Sequence, residues 1–237
     1  VRTRARAPGR SQATEEGVRD AIRDARLEGA AAMLVADALL VFSSLLSHAE
    51  GWRRPGTPWW AWLLFAIPET LLLAGLLLSA FAGVRPGRER NVFVVLLVLL
   101  ALGSLTATGF LIAGLVKADL TAGQLLVHAF VVWSTNLVVF GLLFWELDEG
   151  GPVQRVLRGR TTPDFLFPQD QNPRLSAPGW RPRLLDFMYV SLTNSLAFSP
   201  TDAMPLSRRA KALMALESVI SNAVVVLVIA RAVNVLG

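Results

Sequence analysis

The chain has 237 residues and no cysteine, which excludes disulfides, thiolate nucleophiles and thiolate metal sites. His48 and His128 are the only histidines, too few for a histidine-based zinc centre. Charge is scarce as well: 17% of residues are Asp, Glu, Lys or Arg, against about 25% in soluble domains. Lysine is nearly missing, with 2 against 21 arginines, which reads as the codon bias of a GC-rich genome and carries no function. Residues 1–27 lack a secretory h-region. No internal repeat, nucleophile–base pair or metal cluster stands out, so an enzyme is not expected.

Apolar sequence is what the chain has in plenty. Hydrophobic residues make up 53% of it, and its mean hydropathy is +0.48. They gather into blocks at about 30–46, 59–84, 91–116, 125–145 and 210–236. A membrane-crossing helix needs roughly 20 mostly apolar residues. These blocks predict an all-α integral membrane protein with about five transmembrane helices. Trp59, Trp60 and Trp62 open the second block as an interfacial anchor, and Pro68 predicts a kink beside Glu69. Residues 15–27 have helical charge spacing and are expected to lie on the membrane surface. The organisation expected is a basic cytoplasmic or interfacial segment (1–27), a three-helix peripheral region (28–122) and a helix–connector–loop–helix unit (123–237).

The net charge of +5 does not point to nucleic acid, because the basic residues flank apolar blocks. With four spans before residue 146, the N-terminus and the 146–183 connector share one side. That side holds 19 Lys and Arg residues and the other holds 4: Arg53, Arg54, Lys117 and Arg231. The positive-inside rule then places the N-terminus and connector in the cytoplasm, with the chain in a cell membrane.

The connector is proline-bearing and charged, and it leads into a helix-compatible stretch at 184–198. That stretch is only about fifteen residues, shorter than a normal crossing. It stops at Ser199-Pro200-Thr201-Asp202. Unpaired backbone groups in hydrocarbon cost several kcal/mol each, so such a turn must be buried in protein or meet water. A re-entrant pore helix and loop would satisfy this, its carbonyls and hydroxyls replacing an ion's hydration.

The stretch from Tyr189 to Ser207, YVSLTNSLAFSPTDAMPLS, resembles the pore loop of two-transmembrane potassium-channel modules. Asp202, Pro205 and Ser207 fall on that family's D-x-x-P-x-[ST] tail, and Ala197 to Thr201 fall on its filter. The resemblance covers about 125–237 and implies a potassium-channel-like C-terminal half. Ser199 and Thr201 replace both filter glycines and Pro200 replaces the tyrosine, so potassium selectivity is not implied. The pore loop of potassium channels faces outward, whereas the arginine distribution puts this one inside. Either the pore is inverted, as in ionotropic glutamate receptors, or the span count differs by one; the inverted reading is favoured.

The candidate residues follow. Phe198, Ser199, Pro200, Thr201 and Asp202 would form the filter, and Thr193, Asn194 and Ser195 would belong to the pore helix. Glu217, Ser218, Ser221 and Asn222 would line the last helix, polar groups at that depth facing a cavity or a partner helix. Plainer roles compete. Asp202 could cap the last helix or pair with Arg208 or Arg209, Glu217 could form a structural salt bridge, and Ser218, Ser221 and Asn222 could join helices. Asp37, Glu69, His128 and the Ser134-Thr135-Asn136 run are expected in helix contacts. The function expected is an oligomeric channel, most simply a homotetramer, conducting monovalent cations. Its partners would be the lipid bilayer and small inorganic ions, with no cofactor beyond the permeant ions. The alternatives are a proton- or ion-coupled secondary transporter using Asp37, Glu69, His128 and Glu217, or a non-conducting accessory protein.

Overall fold

The computed structural model describes residues 9–51, 67, 70–71, 73–75, 86–117, 121–158, 162–172, 174, 176–177, 179–197 and 203–236. Its helices are α1 (Gly9–Ala49), α2 (Pro86–Lys117), α3 (Ala122–Leu147), α4 (Pro152–Arg158), α5 (Pro168–Gln171), α6 (Leu184–Ala197) and α7 (Arg208–Leu236). Two short strands, β1 (Phe165–Leu166) and β2 (Met204–Pro205), pair antiparallel with Phe165 opposite Pro205. Among the described residues, four helical stretches are long and apolar enough to cross a membrane: Asp20–Ala49, Arg90–Gly114, Gly123–Leu157 and Arg208–Ala230. Most of the expected 59–84 block lies outside the described residues, including Trp59, Trp60, Trp62, Pro68 and Glu69. Ile67, Thr70, Leu71 and 73–75 are helical, and Leu73 is buried beside Met33, Leu96 and Leu100.

Residues 15–27 are continuous with the first span rather than forming a separate surface helix. No proline interrupts 9–49, and Gly29 sits inside the helix for a packing reason. A Cβ there would lie 2.8 Å from the Phe93 ring and 2.9 Å from the Trp145 ring, so only glycine lets α1 approach α2 and α3 this closely.

α3 is the central helix. It packs on α1, α2, α6 and α7, and contacts α1–α2, α2–α7, α7–α6 and α6–α1 close a ring around it. Thr121 starts it with a reciprocal cap: its hydroxyl accepts from Gln124 N at 3.4 Å, and Gln124 Oε1 accepts from Thr121 N at 3.0 Å. Paired contacts fix the directions. On α1, Gly29 meets Trp145 while Ser43 Oγ lies 2.9 Å from His128 Nδ1. On α2, Phe93 meets Trp145 while Ser104 donates to Asn136 Oδ1 at 2.6 Å. Both helices therefore run antiparallel to α3, and both begin at the end where α3 stops. Gly51 and Pro86 thus lie at opposite ends of the bundle.

The distribution of polarity is inverted relative to a soluble domain. Asp37, Ser43, Ser47, Ser104, Thr108, Thr135, Asn136, Ser191, Asn194, Ser195, Glu217 and Ser221 are buried. Leu34, Phe42, Val95, Val98, Leu105, Leu126, Phe130, Val219, Val226 and Ile229 are exposed. A soluble monomer rarely shows so much apolar surface, whereas lipid solvates it and drives polar groups inward. The helices are joined accordingly: Asn136 accepts from Ser104 and donates to Thr108 Oγ1 at 3.3 Å.

At the end of α3 a buried ion pair organises the connector. Arg155 Nη1 donates to Asp148 Oδ2 at 2.7 Å, and Arg155 Nη2 donates to the Trp145 carbonyl at 3.3 Å. Asp148 Oδ1 accepts from Asp164 N at 2.9 Å and Phe165 N at 3.1 Å, which fixes the start of β1. Gly151 (φ +97°) makes the turn between α3 and α4; a Cβ there would also lie 2.5 Å from the Glu146 carboxylate.

Candidate functional site

The short helix α6 begins where Pro182 ends the connector, and its first turn is set by Asp186, whose carboxylate accepts from Arg183 N at 2.7 Å. Arg183 is further tied to α1 by its ion pair with Glu28, which raises the guanidinium's already high pKa. An aromatic chain anchors this end. Phe187 lies 5.8 Å from Phe165 and 5.3 Å from Phe167, Phe165 lies 5.2 Å from Phe144, and Trp180 lies 5.8 Å from Phe167. The start of α6 is therefore level with β1 and the end of α3.

From there α6 runs into the bundle. Met188 lies against Gly141, where a Cβ would sit 2.5 Å from Met188 Sδ and 3.2 Å from its Cα. One turn deeper, Ser191 donates to the Leu137 carbonyl at 2.9 Å. The helix thus passes antiparallel to α3. Its 14 residues give it a length of about 21 Å at 1.5 Å per residue, so it ends alongside the middle of α3. Ala203 is again packed in the core with Phe165, and Met204 and Pro205 pair with β1. Leu206 N donates to the Asp164 carbonyl at 2.8 Å. The chain thus enters the bundle from the connector end and is back at that end before α7 starts.

α7 then runs alongside α6, and its N-cap is Ser207, whose hydroxyl accepts from Ala210 N at 3.1 Å. The cap that could have been Asp202 is Ser207 instead, because the helix begins only at Arg208. Glu217 lies fully buried between α6 and α7. Its carboxylate accepts from Ser191 Oγ and, at 2.6 Å, from Asn194 Nδ2, which also donates to the Met214 carbonyl at 2.9 Å. Ser218 Oγ is 3.3 Å from Asn194 Oδ1 and 3.4 Å from the Asn194 carbonyl. Asn222 Nδ2 donates to the Ser218 carbonyl at 2.6 Å, and Ser221 is buried.

The expected residues are therefore partly brought together. Asn194, Glu217 and Ser218 form one network, while Thr193 and Ser195 bond back to carbonyls of their own helix at Tyr189, Val190 and Leu192. Among the described residues Glu217 has no basic partner, and its contacts are those of an amide- and hydroxyl-capped acid rather than a salt bridge. Phe198, Ser199, Pro200, Thr201 and Asp202 lie outside the described residues. His128 joins Ser43 and Ser47 on α1, away from this network.

Comparison with protein-family models, curated proteins and solved structures finds no match. Sequence reasoning missed Ser191, the residue that ties α6 to both α3 and Glu217. The signal was available in its spacing, one turn before Asn194 on the same face.

Proposed function

We propose that this chain is the subunit of an oligomeric membrane ion channel whose pore is built from the α3–α6–α7 unit. The supporting observation is the path of α6: it goes about halfway along α3, and the chain rejoins β1 before α7 begins. A helix that stops inside the bilayer leaves its last carbonyls without intrahelical partners. Those carbonyls carry partial negative charge, and they are stable at that depth only against protein or water. Several copies of α6 around an axis would aim these ends, and the adjacent Ser199, Thr201 and Asp202, at one water-filled path. A homotetramer is the simplest such ring, and monovalent cations are the class that carbonyls and an acidic ring favour. The potassium-channel-like order of long helix, short helix and long helix agrees with this reading.

The Glu217 network supports the same reading as a brace. It fixes the inner half of α6 to α7, so the angle at which the helix end faces the path is set by side chains that water does not reach. A second reading draws on the same side chain: a fully buried acid held by hydroxyl and amide donors beside a short helix also suits an ion- or proton-coupled transporter.

Purified protein in planar bilayers separates the two. The channel reading expects unitary currents, a reversal potential near that of the cation in asymmetric salt, and a severalfold lower conductance for Asp202→Asn. A monomeric particle by native mass spectrometry would remove the central-pore arrangement. Saturable flux without unitary events, abolished by Glu217→Gln, would establish the transporter instead.

A further inference from the structure

A cavity of about 280 Å³ lies at the connector end of the bundle, between α1, α4 and the residues that lead into α6. Its charges are divided by wall. Asp24 and Glu28 stand one turn apart on α1, while Arg155, Arg181 and Arg183 come from α4 and the connector. Two of these cations are already matched. Arg155 is buried on Asp148, with its guanidinium 5.3 Å over the Phe187 ring, and Arg183 is paired with Glu28. Arg181 is not. Its Nη1 donates to the Arg155 carbonyl at 2.7 Å, and among the described residues no acid pairs with it. That one bond fixes the guanidinium and leaves most of its five N–H donors unused. Asp24 is the counterpart on α1. It is exposed, acts on Arg183 only through space, and accepts no hydrogen bond among the described residues.

This division selects the ligand. A lone anion at Arg181 would also face Asp24 and Glu28, and a lone cation at Asp24 would also face Arg181 and Arg183. A molecule that carries both charges meets neither objection. We propose that the cavity binds a small zwitterion of the amino-acid class, with its carboxylate on Arg181 and its ammonium on Asp24. Ala21, Ala25, Pro152 and Val156 supply apolar surface for an aliphatic side chain. The size agrees. Charges about 3 Å apart, extended by a hydrogen bond of about 2.8 Å at each end, span about 8–9 Å, and a sphere of 280 Å³ is about 8 Å across.

The test is equilibrium dialysis of the full chain in detergent against labelled L-leucine. Two competitors divide the ligand: 4-methylpentanoate lacks the ammonium, and isopentylamine lacks the carboxylate. Leucine should bind saturably, and each competitor should be about tenfold weaker or worse, the size of one lost charge-assisted bond. Arg181→Gln should weaken leucine about tenfold and remove the handicap of isopentylamine. Asp24→Asn should weaken leucine severalfold and remove that of 4-methylpentanoate. Ala21→Trp, which fills the cavity from α1 without touching charge, should abolish binding. Absence of saturable leucine binding would overturn the assignment. So would competition by 4-methylpentanoate as strong as by leucine, which marks a plain anion site, or leucine binding unchanged in Arg181→Gln and Asp24→Asn. Should Arg181→Gln unfold, Asp24→Asn still decides, since that side chain is exposed and accepts no hydrogen bond among the described residues. None of these outcomes depends on conduction.

Discussion

Asn194→Ala tests the seat of α6 most directly. The substitution removes two donor bonds, to the Met214 carbonyl and to the Glu217 carboxylate, and leaves the rest of the helix in place. Figures from soluble proteins give about 1 kcal/mol for the first and about 1.5–3 for the second. Inter-helix polar contacts in membranes average only about 0.6 kcal/mol and reach about 1.7, because the dissociated helices find other partners. The lower scale suits the carbonyl bond. The upper end suits Glu217, which is fully buried and keeps only Ser191 once Asn194 is gone. A total near 2 kcal/mol follows. Reversible unfolding in mixed detergent micelles, read by tryptophan fluorescence, measures it. With Glu217→Leu already present, Asn194→Ala should cost only about 1 kcal/mol, since only the bond to the Met214 carbonyl and the longer one from Ser218 Oγ remain, each on the lower scale. A cost below about 0.5 kcal/mol in both backgrounds would refute the placement of α6 against α7.

Two further substitutions probe other supports of the same unit. Gly141→Leu places a side chain where Met188 Sδ and Cα already stand, so α3 and α6 must separate. The expected loss of stability is about 1–3 kcal/mol, and on the proposed function unitary currents should fall with it, whereas Met188→Leu alone should be mild. Asp148→Ala leaves Arg155 buried without its carboxylate and frees the backbone N–H groups of Asp164 and Phe165 at the start of β1. Breaking such a pair costs about 3–5 kcal/mol, and trypsin should then cut near Arg155 and Arg158 much faster than in the parent protein.

Much of the fold is legible in the sequence because a bilayer imposes a simple rule: roughly twenty apolar residues make a crossing. The blocks at 91–116, 125–145 and 210–236 fall within α2, α3 and α7. Short α6 starts where Pro182 implies, while the Ser199-Pro200 pair expected to stop it lies outside the described residues. Residues 15–27 were less legible, since charge spacing marks a helix without saying whether it ends before the apolar run. The pairing of β1 with β2 was not legible either. It joins two dipeptides about forty positions apart, and no local periodicity encodes that.

The site divides the same way. Composition and block length by themselves determined that this chain belongs to a membrane, that its spans are helical, and that one apolar helix is too short to cross. They also marked Asn194, Glu217 and Ser218 as polar groups at a costly depth. Only the tertiary structure decided which partners satisfy them. A hydroxyl or amide in a helix faces several neighbours of equal chemical suitability, and the choice is made by helix direction and register, here set by Gly141 against Met188 and by Phe187 against Phe165. That geometry turned a lone buried acid into the member of a network reaching across α6 and α7, with Ser191 extending it to α3.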